Sequence, residues 1–244
     1  MPELPPGLID ALRSARRTVV LTGSGVSAES GVPTFREAQT GLWSRFDPQE
    51  LATPEAFERD PKLVWDWYEW RRKLVAEAIP NPAHAAIAGM ERLFSYFTLM
   101  TQNVDGLHQR AGSRGVIELH GNILRTKCSV EGIVVEDYEE SETPPPCPSC
   151  GAPLRPDVVW FGEMLPYGAL DAATEAAREA NVFLSVGTSS LVYPAAALPF
   201  EALENGAALV EINPGETPLT PHADYALRDP AGEVLPRLVA GLSQ

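Results

Sequence analysis

Five short apolar runs, each ending in glycine or small polar residues, constrain this chain more than any other feature. They are RTVVLTGSG from Arg17, YFTLMTQN from Tyr96, GVIELHG from Gly115, NVFLSVGTSS from Asn181 and AALVEIN from Ala207. Near-continuous apolar runs of this length are the pattern of strands buried on both faces. Helical patterns fall between them, at 83–93, 170–180 and 194–205. Such alternation predicts an α/β fold: a parallel sheet with helices on both faces. Ligands of such sheets sit beyond the carboxyl ends of the strands. Here those ends read Gly23-Ser24-Gly25, Gln102-Asn103-Val104-Asp105, His120-Gly121, Gly187-Thr188-Ser189 and Asn213, so polar and glycine residues gather at one edge.

Two segments break the alternation. Residues 37–79 hold a loop and a long aromatic helix; residues 121–158 hold a hairpin-like stretch, the acidic run EDYEESE, three consecutive prolines and a cysteine pair. Together they predict a smaller inserted domain. The expected division is 1–36, 80–120 and 159–244 for a Rossmann-like nucleotide-binding domain, with 37–79 and 121–158 forming the small one. A length of 244 residues suits one large core with an insertion. A net charge of −14 disfavours a nucleic-acid footprint and suits lysine-rich protein partners. The N-terminus has no basic-then-apolar signal pattern and no run is long enough to span a membrane, so a cytoplasmic protein is expected. Three cysteines read as thiols or metal ligands, not as a disulfide framework.

GSGVSA, residues 23–28, has the G-x-G-x-x-A form of a dinucleotide loop after a strand. Gly23 and Gly25 allow close backbone approach, and free amides there suit a pyrophosphate. The following ESGVPTFR continues a helix poorly, and the acid about 20 residues on, Asp47, lies in a loop and not at a strand end, which disfavours a hydride-transfer enzyme. TQNVD, residues 101–105, reads either as an Asn/Asp turn capping a helix or as a pocket for a carboxamide. His120, at a strand end among polar tips, is placed for proton abstraction; His84, His108 and His222 read as structural or surface residues. Cys147-Pro148-Ser149-Cys150 has the form of a zinc knuckle, with Cys128 upstream. Glu131 stands where a fourth cysteine would complete the site, 15 residues before Cys147. Metal binding and a metal-free degenerate knuckle both fit these residues.

These motifs in order, GSGVSAESGVPTFR, TQNVDGLH, ELHG, the cysteine segment, VVWFGE, SVGTSS, EINPGE and DPAGEVLP, resemble those of the sirtuins, NAD-dependent protein-lysine deacylases. The resemblance spans nearly the whole chain. It departs at Ser24, usually alanine in the family, and at Glu131, which replaces a zinc cysteine. It implies NAD as a consumed co-substrate, acyl-lysine proteins or peptides as partners, and no nucleic-acid or membrane partner. The acyl oxygen attacks C1′ of the nicotinamide ribose, nicotinamide leaves, and 2′-O-acyl-ADP-ribose and free lysine result. His120 and Asn103 become the catalytic residues. Gly23, Ser24, Gly25, Ser27, Phe35 and Arg36 belong to the cofactor loop, whose irregular segment closes over NAD and excludes water. Gln102, Asn103, Val104 and Asp105 hold nicotinamide and its ribose; Gly187, Thr188, Ser189, Asn213 and Ala231 hold the phosphate and adenosine end. Phe161, Gly162 and Glu163 match the strand that pairs with the substrate peptide. Cys128, Cys147 and Cys150 would be zinc ligands.

The helix beginning DPKLVWDWYEWRRKL has Asp60 as N-cap and Pro61 as first residue. Leu63, Trp67, Trp70 and Leu74 mark an apolar stripe at helical spacing. Tyr68 and Arg71, three apart, share a neighbouring face. From the residues alone such an arginine reads as surface. The resemblance instead marks Tyr-x-x-Arg as the signature of the class removing succinyl and malonyl groups, with Arg71 and Tyr68 on the distal carboxylate and Ala52 widening the pocket. Arg72, about 100° further round the helix, serves as a neutral control. The readings kept beside this one are a mono-ADP-ribosyltransferase and a non-catalytic module binding NAD or acyl peptide. A zinc-ribbon nucleic-acid binder is poorly served by the charge and by Glu131.

Overall fold

The computed structural model describes residues 4–33, 47, 51–139, 141–166 and 168–244. The strands are β1 (Arg17–Thr22), β2 (Tyr96–Thr101), β3 (Ile117–Glu118), β4 (Gly121–Cys128), β5 (Leu154–Val158), β6 (Val182–Val186), β7 (Ala208–Ile212) and β8 (Tyr225–Leu227). The helices are α1 (Leu8–Ser14), α2 (Ser24–Ala28), α3 (Pro54–Arg59), α4 (Pro61–Glu77), α5 (Pro82–Met90), α6 (Leu107–Arg110), α7 (Ala169–Glu179), α8 (Leu198–Glu204) and α9 (Ala231–Leu242). Six strands form one sheet in the order β3-β2-β1-β6-β7-β8, and every pairing in it is parallel. β4 and β5 pair antiparallel in a separate two-stranded sheet. Among the described residues no helix is long and apolar enough to cross a membrane.

The expected parallel sheet therefore forms, and its strands are buried on both faces because successive side chains point opposite ways. Val20 of β1 joins a core with Ile87 of α5 and Val234 and Leu238 of α9. Its neighbours Val19 and Leu21 join the opposite core with Ala173 and Ala177 of α7 and Leu198 of α8. The small alanines of α7 let that helix lie close to the sheet. The run from Gly115 forms only a two-residue strand. β8 and α9 are not among the elements expected from the sequence: β8 has three residues, and α9, although Ala231, Val234, Leu235 and Leu238 stand at helical spacing, contains Pro236. Pro236 sits in the helix interior, where the missing amide gives up the bond to the carbonyl four residues back.

α4 begins as the sequence predicts, with the Asp60 carboxylate accepting from the Leu63 amide at 3.0 Å and Pro61 following. Its buried face is corrected. Val64, Trp67, Tyr68 and Val75 face a core shared with Ile123, Val158 and Trp160, while Trp65 packs against Cys128 and Cys147. The helix is covered from two sides, so Leu63 and Trp70 are only partly buried at the margin of the core. Arg72 is also no neutral control. It donates to the Ile123 carbonyl at 2.6 Å and to the Arg125 carbonyl and Thr126 hydroxyl at 2.9 Å, fastening α4 to β4.

The loops after β1 and β6 touch without side chains between them. A Cβ on Gly25 would lie 2.8 Å from the Cα and carbonyl oxygen of Gly187, which itself has φ 61. Backbone on both sides leaves little room to yield. Gly25→Ala is expected to destabilise the protein by about 1–3 kcal/mol, the usual range for overpacking, as read from the urea midpoint at unchanged m-value.

Candidate active site

The parallel strands deliver their polar ends to one edge, where hydrogen bonds knit several of the candidate residues together. The Gly23 amide donates to the Val186 carbonyl at 3.0 Å and the Gly25 amide to the Gly187 carbonyl at 2.8 Å. These two amides are thus already used in joining β1 to β6, which corrects the expectation that they are free for a phosphate. Exposed Ser24 starts α2, and that helix stops after five residues. The poor helix continuation read from the sequence is real up to Gly31, which has φ 77. Phe35 and Arg36 lie outside the described residues.

Ser27 is the joint of the crevice. Its hydroxyl donates to Asp105 Oδ2 at 2.7 Å and accepts from Asn103 Nδ2 at 3.0 Å. Asn103 Nδ2 also donates to the Gly23 carbonyl at 3.0 Å. Both amide hydrogens of Asn103 are therefore engaged, and the side chain keeps acceptor capacity at Oδ1. Asp105 Oδ1 accepts from the Leu107 amide at 2.9 Å, so the Asp turn is realised, while the N-cap of α6 is Gly106 without a side-chain cap. Gln102 Nε2 donates to Thr188 Oγ1 at 3.0 Å, linking the ends of β2 and β6. Val104 packs at the edge of the α4 core, and Ser189 is exposed beside Thr188. Asn213 and Ala231 stand further along the same edge. The Asn213 side chain donates to the Gly215 carbonyl at 2.8 Å, and Ala231 opens α9. The next residue of α9, Gly232, donates its amide to the Glu29 carboxylate at 2.7 Å, tying α9 to the end of α2.

His120 ends the β3 run, half-buried, with Nδ1 at 2.9 Å from the Gln102 carbonyl. A carbonyl only accepts, so Nδ1 carries the proton and Nε2 keeps a lone pair. Burial pushes the His120 pKa down, against the opposing pull of that carbonyl. The ring is neutral at pH 7, the state a base requires.

The sequence reading gave His84 and His108 structural roles and did not connect them to the crevice. Both are buried, with ring centroids 4.9 Å apart. His84 Nδ1 accepts from the Asn81 amide at 3.3 Å, which leaves Nε2 as the donor toward Ser27 Oγ at 3.5 Å. His108 Nε2 lies 2.8 Å from Thr22 Oγ1, and Thr22 donates on to Thr101 Oγ1, which accepts the Asn103 amide at 3.0 Å. The available signal was positional: His84 is the N3 residue of a capping box led by Asn81.

Three substrate-side candidates converge above α4. Tyr68 is 2% exposed, and its hydroxyl accepts from Trp160 Nε1 at 2.9 Å. Arg71 lies with its guanidinium 5.0 Å from the Trp67 ring and 5.6 Å from the Tyr68 ring. Buried Ala52 offers its carbonyl to the Phe161 amide at 2.9 Å. Phe161, Gly162 and Glu163 form a turn in this structure, with Gly162 at φ 87, and not a strand. The Glu163 carboxylate is engaged by buried Arg155 at 2.5 and 2.9 Å, which keeps its pKa low.

A comparison with protein families matches residues 23–194 to the Sir2 family. The chain belongs to the Sir2 family. An NAD-dependent protein deacylase of Aquifex aeolicus (strain VF5) is 57% identical over 222 residues, spanning 90% of this chain and 92% of its own. NAD-dependent protein deacylase 2 of Pyrobaculum aerophilum is 57% identical over 231 residues, 94% of this chain and 92% of its own. The crystal structure of a Sir2 homologue–NAD complex superposes with a TM-score of 0.92 at 49% identity, covering 99% of this chain and 94% of that one. The edge of amides, hydroxyls, one carboxylate and a neutral imidazole in this Sir2-family chain fits a nucleotide, whose ribose and carboxamide need both donors and acceptors.

The cysteine cluster tests the second group the family implies. Ligand atoms of Cys128, Glu131, Cys147 and Cys150 all lie within 4.8 Å of one another. Cys128 and Cys150 sulfurs are 3.5 Å apart, and Glu131 Oε2 is 3.8 Å from the Cys147 sulfur. Three sulfurs and a carboxylate in one cluster fit a four-coordinate zinc. Glu131 thus sits where the sequence spacing put it.

The histidines set an acid limit on the fold. Burial, then the neighbouring His84, pushes the His108 pKa down to about 3, and burial also lowers that of His84. In the unfolded chain both titrate near 6.5, so below that pH the unfolded state holds more protons. Their contribution to stability is complete above about pH 6.5 and is lost as pH falls toward the folded values. Unfolding free energy should therefore drop by up to about 1.4 kcal/mol per pH unit for each such histidine. Urea titrations at descending pH check this, and His108→Gln should flatten the slope.

Proposed function

We propose that this Sir2-family chain is an NAD-dependent protein-lysine deacylase that accepts short acyl groups ending in a carboxylate, succinyl and malonyl, as well as acetyl. The observation that carries the acyl preference is the Tyr68–Arg71 pair. A buried phenol and a guanidinium stand side by side on α4, and Tyr68 shares its core with Ala52. Burial raises the Tyr68 pKa to about 12, so the phenol stays protonated, and arginine keeps its charge at any working pH. A carboxylate meets donors on both.

NAD, when bound, supplies an activated ribose carbon and leaves as nicotinamide and an acylated ADP-ribose. On this reading Gln102, Val104 and Asp105 hold the nicotinamide and its ribose, with Asn103 presenting Oδ1 as an acceptor. His120 takes a ribose hydroxyl proton at Nε2, the nitrogen its bond to Gln102 leaves unprotonated. Gly187, Thr188, Ser189, Asn213 and Ala231 hold the phosphate and adenosine end, and Gly23, Ser24, Gly25, Ser27, Phe35 and Arg36 form the covering loop. Phe161, Gly162 and Glu163 present backbone to the substrate peptide, and the net charge of −14 favours lysine-rich substrates. The small module, 37–79 with 121–158, supplies most of the acyl pocket and a zinc site of Cys128, Cys147, Cys150 and Glu131. The other segments supply the cofactor crevice.

Mass spectrometry on matched acetyl-lysine and succinyl-lysine peptides, with and without NAD, tests the reading. NAD-dependent loss of both acyl groups is expected. Arg71→Met should lower kcat/KM on the succinyl peptide by about 30-fold or more, the cost of removing one partner of a buried charged contact. Acetyl turnover should stay within about threefold. Equal losses on both peptides would sink the pocket assignment. Label fixed on protein in place of a soluble acyl-ADP-ribose would favour an ADP-ribosyltransferase.

For the metal, elemental analysis of purified protein should find one zinc per chain. Glu131→Cys should slow zinc loss to a chelator, since thiolate is the favoured structural ligand. Protein that folds and holds no zinc would leave the cluster a metal-free knuckle.

A further inference from the structure

The wall of the acyl pocket contains a residue that no substrate needs to touch. Trp160 is 2% exposed, and its indole Nε1 is 2.9 Å from the Tyr68 hydroxyl. An indole N–H can only donate. The Tyr68 oxygen is therefore held as an acceptor by Trp160, with Arg71 also hydrogen-bonded to it, and the phenol's own hydrogen is left to be donated elsewhere. Without that constraint a tyrosine hydroxyl can rotate and accept from a ligand as readily as donate to it. Arg71 beside it has no acceptor at all. Between them these two side chains then offer a ligand hydrogens, which suits a carboxylate better than a neutral amide N–H.

The orientation of Trp160 is fixed from three directions. Its ring lies 5.3 Å from that of Phe57, and the guanidinium of buried Arg155 sits 3.2 Å from its centroid. Its backbone amide donates at 2.8 Å to the same Glu163 carboxylate that Arg155 grips. A rigid indole is what makes its hydrogen bond a directional constraint.

Resting on the acyl-pocket reading above, we propose that Trp160 is a specificity-determining positioning residue: it fixes Tyr68 as a hydrogen-bond donor and so selects acyl groups with a distal carboxylate. It acts through Tyr68 and takes no part in bond making or breaking.

The test is a double-mutant cycle of Trp160→Phe and Tyr68→Phe, scored as the ratio of kcat/KM on succinyl-lysine to that on acetyl-lysine peptide. Trp160→Phe should lower the ratio about tenfold, the range of one hydrogen bond to a charged group, with acetyl turnover changed by no more than about twofold. In the Tyr68→Phe background it should change the ratio no further, because the group it positions is gone. If Trp160→Phe fails to fold, benzothienylalanine at position 160 keeps the shape of the indole and deletes only the N–H; the same ratio loss is expected. Equal losses on both peptides, or a ratio loss that persists undiminished without the Tyr68 hydroxyl, would overturn the proposal and leave the pocket reading standing. A wild-type enzyme that ignores succinyl-lysine, or a ratio unmoved by Tyr68→Phe and Arg71→Met, would overturn the pocket reading itself and this inference with it.

Discussion

The Ser27 hydroxyl holds the crevice together. It donates to Asp105, accepts from Asn103, and faces His84 Nε2, so three segments distant in sequence meet at one oxygen. A buried hydroxyl of this kind stabilises only when its partners are all present, and it then specifies their positions closely. The network fixes which atoms remain for a ligand. Asn103 is left with an acceptor, and His120, held through Gln102, with a lone pair on Nε2. The chemistry of the edge thus follows from hydrogen bonds made inside the protein before any ligand arrives.

The acyl side depends on a different kind of restraint. α4 is clamped between two partners, with Arg72 bonded to the β4 backbone and Trp65 packed on the cysteine cluster. That double attachment makes the helix a stable platform for Tyr68 and Arg71. It also couples those two residues to the cysteine cluster: loss of order around Cys128 and Cys147 would loosen the packing of Trp65, three residues before Tyr68 and six before Arg71 on the same helix. Preorganisation of this sort is what the proposed preference for acyl groups with a terminal carboxylate would need.

Much of the frame was legible in the sequence because it rests on local signals. Near-continuous apolar runs mark strands buried on both faces, and β1, β2, β6 and β7 form where those runs lie. Asp60-Pro61 marks the start of α4 for a reason contained within four residues. The cysteine spacing announces a cluster because a short turn joins Cys147 and Cys150, and the β4–β5 pairing, which sets Cys128 opposite Leu154, brings in the third. β8 is too short to show a period, whereas α9 keeps the helical spacing of Ala231, Val234, Leu235 and Leu238 through Pro236, a signal the expectations above did not use.

The sequence by itself determined the parallel α/β architecture, the edge where the polar strand ends collect, and the family to which those motifs belong. Only the tertiary structure decided which polar atoms are already spent. It showed the Gly23 and Gly25 amides bonded to the β6 side, the Glu163 carboxylate gripped by Arg155, Arg72 acting as a fastener, and His84 and His108 lying beneath the crevice. Pattern and spacing report the period of a helix or strand. The hydrogen-bond partner of a buried group is set by whichever segment packs across from it, and that segment can lie far off in sequence, 163 positions in the case of Gly23 and Val186.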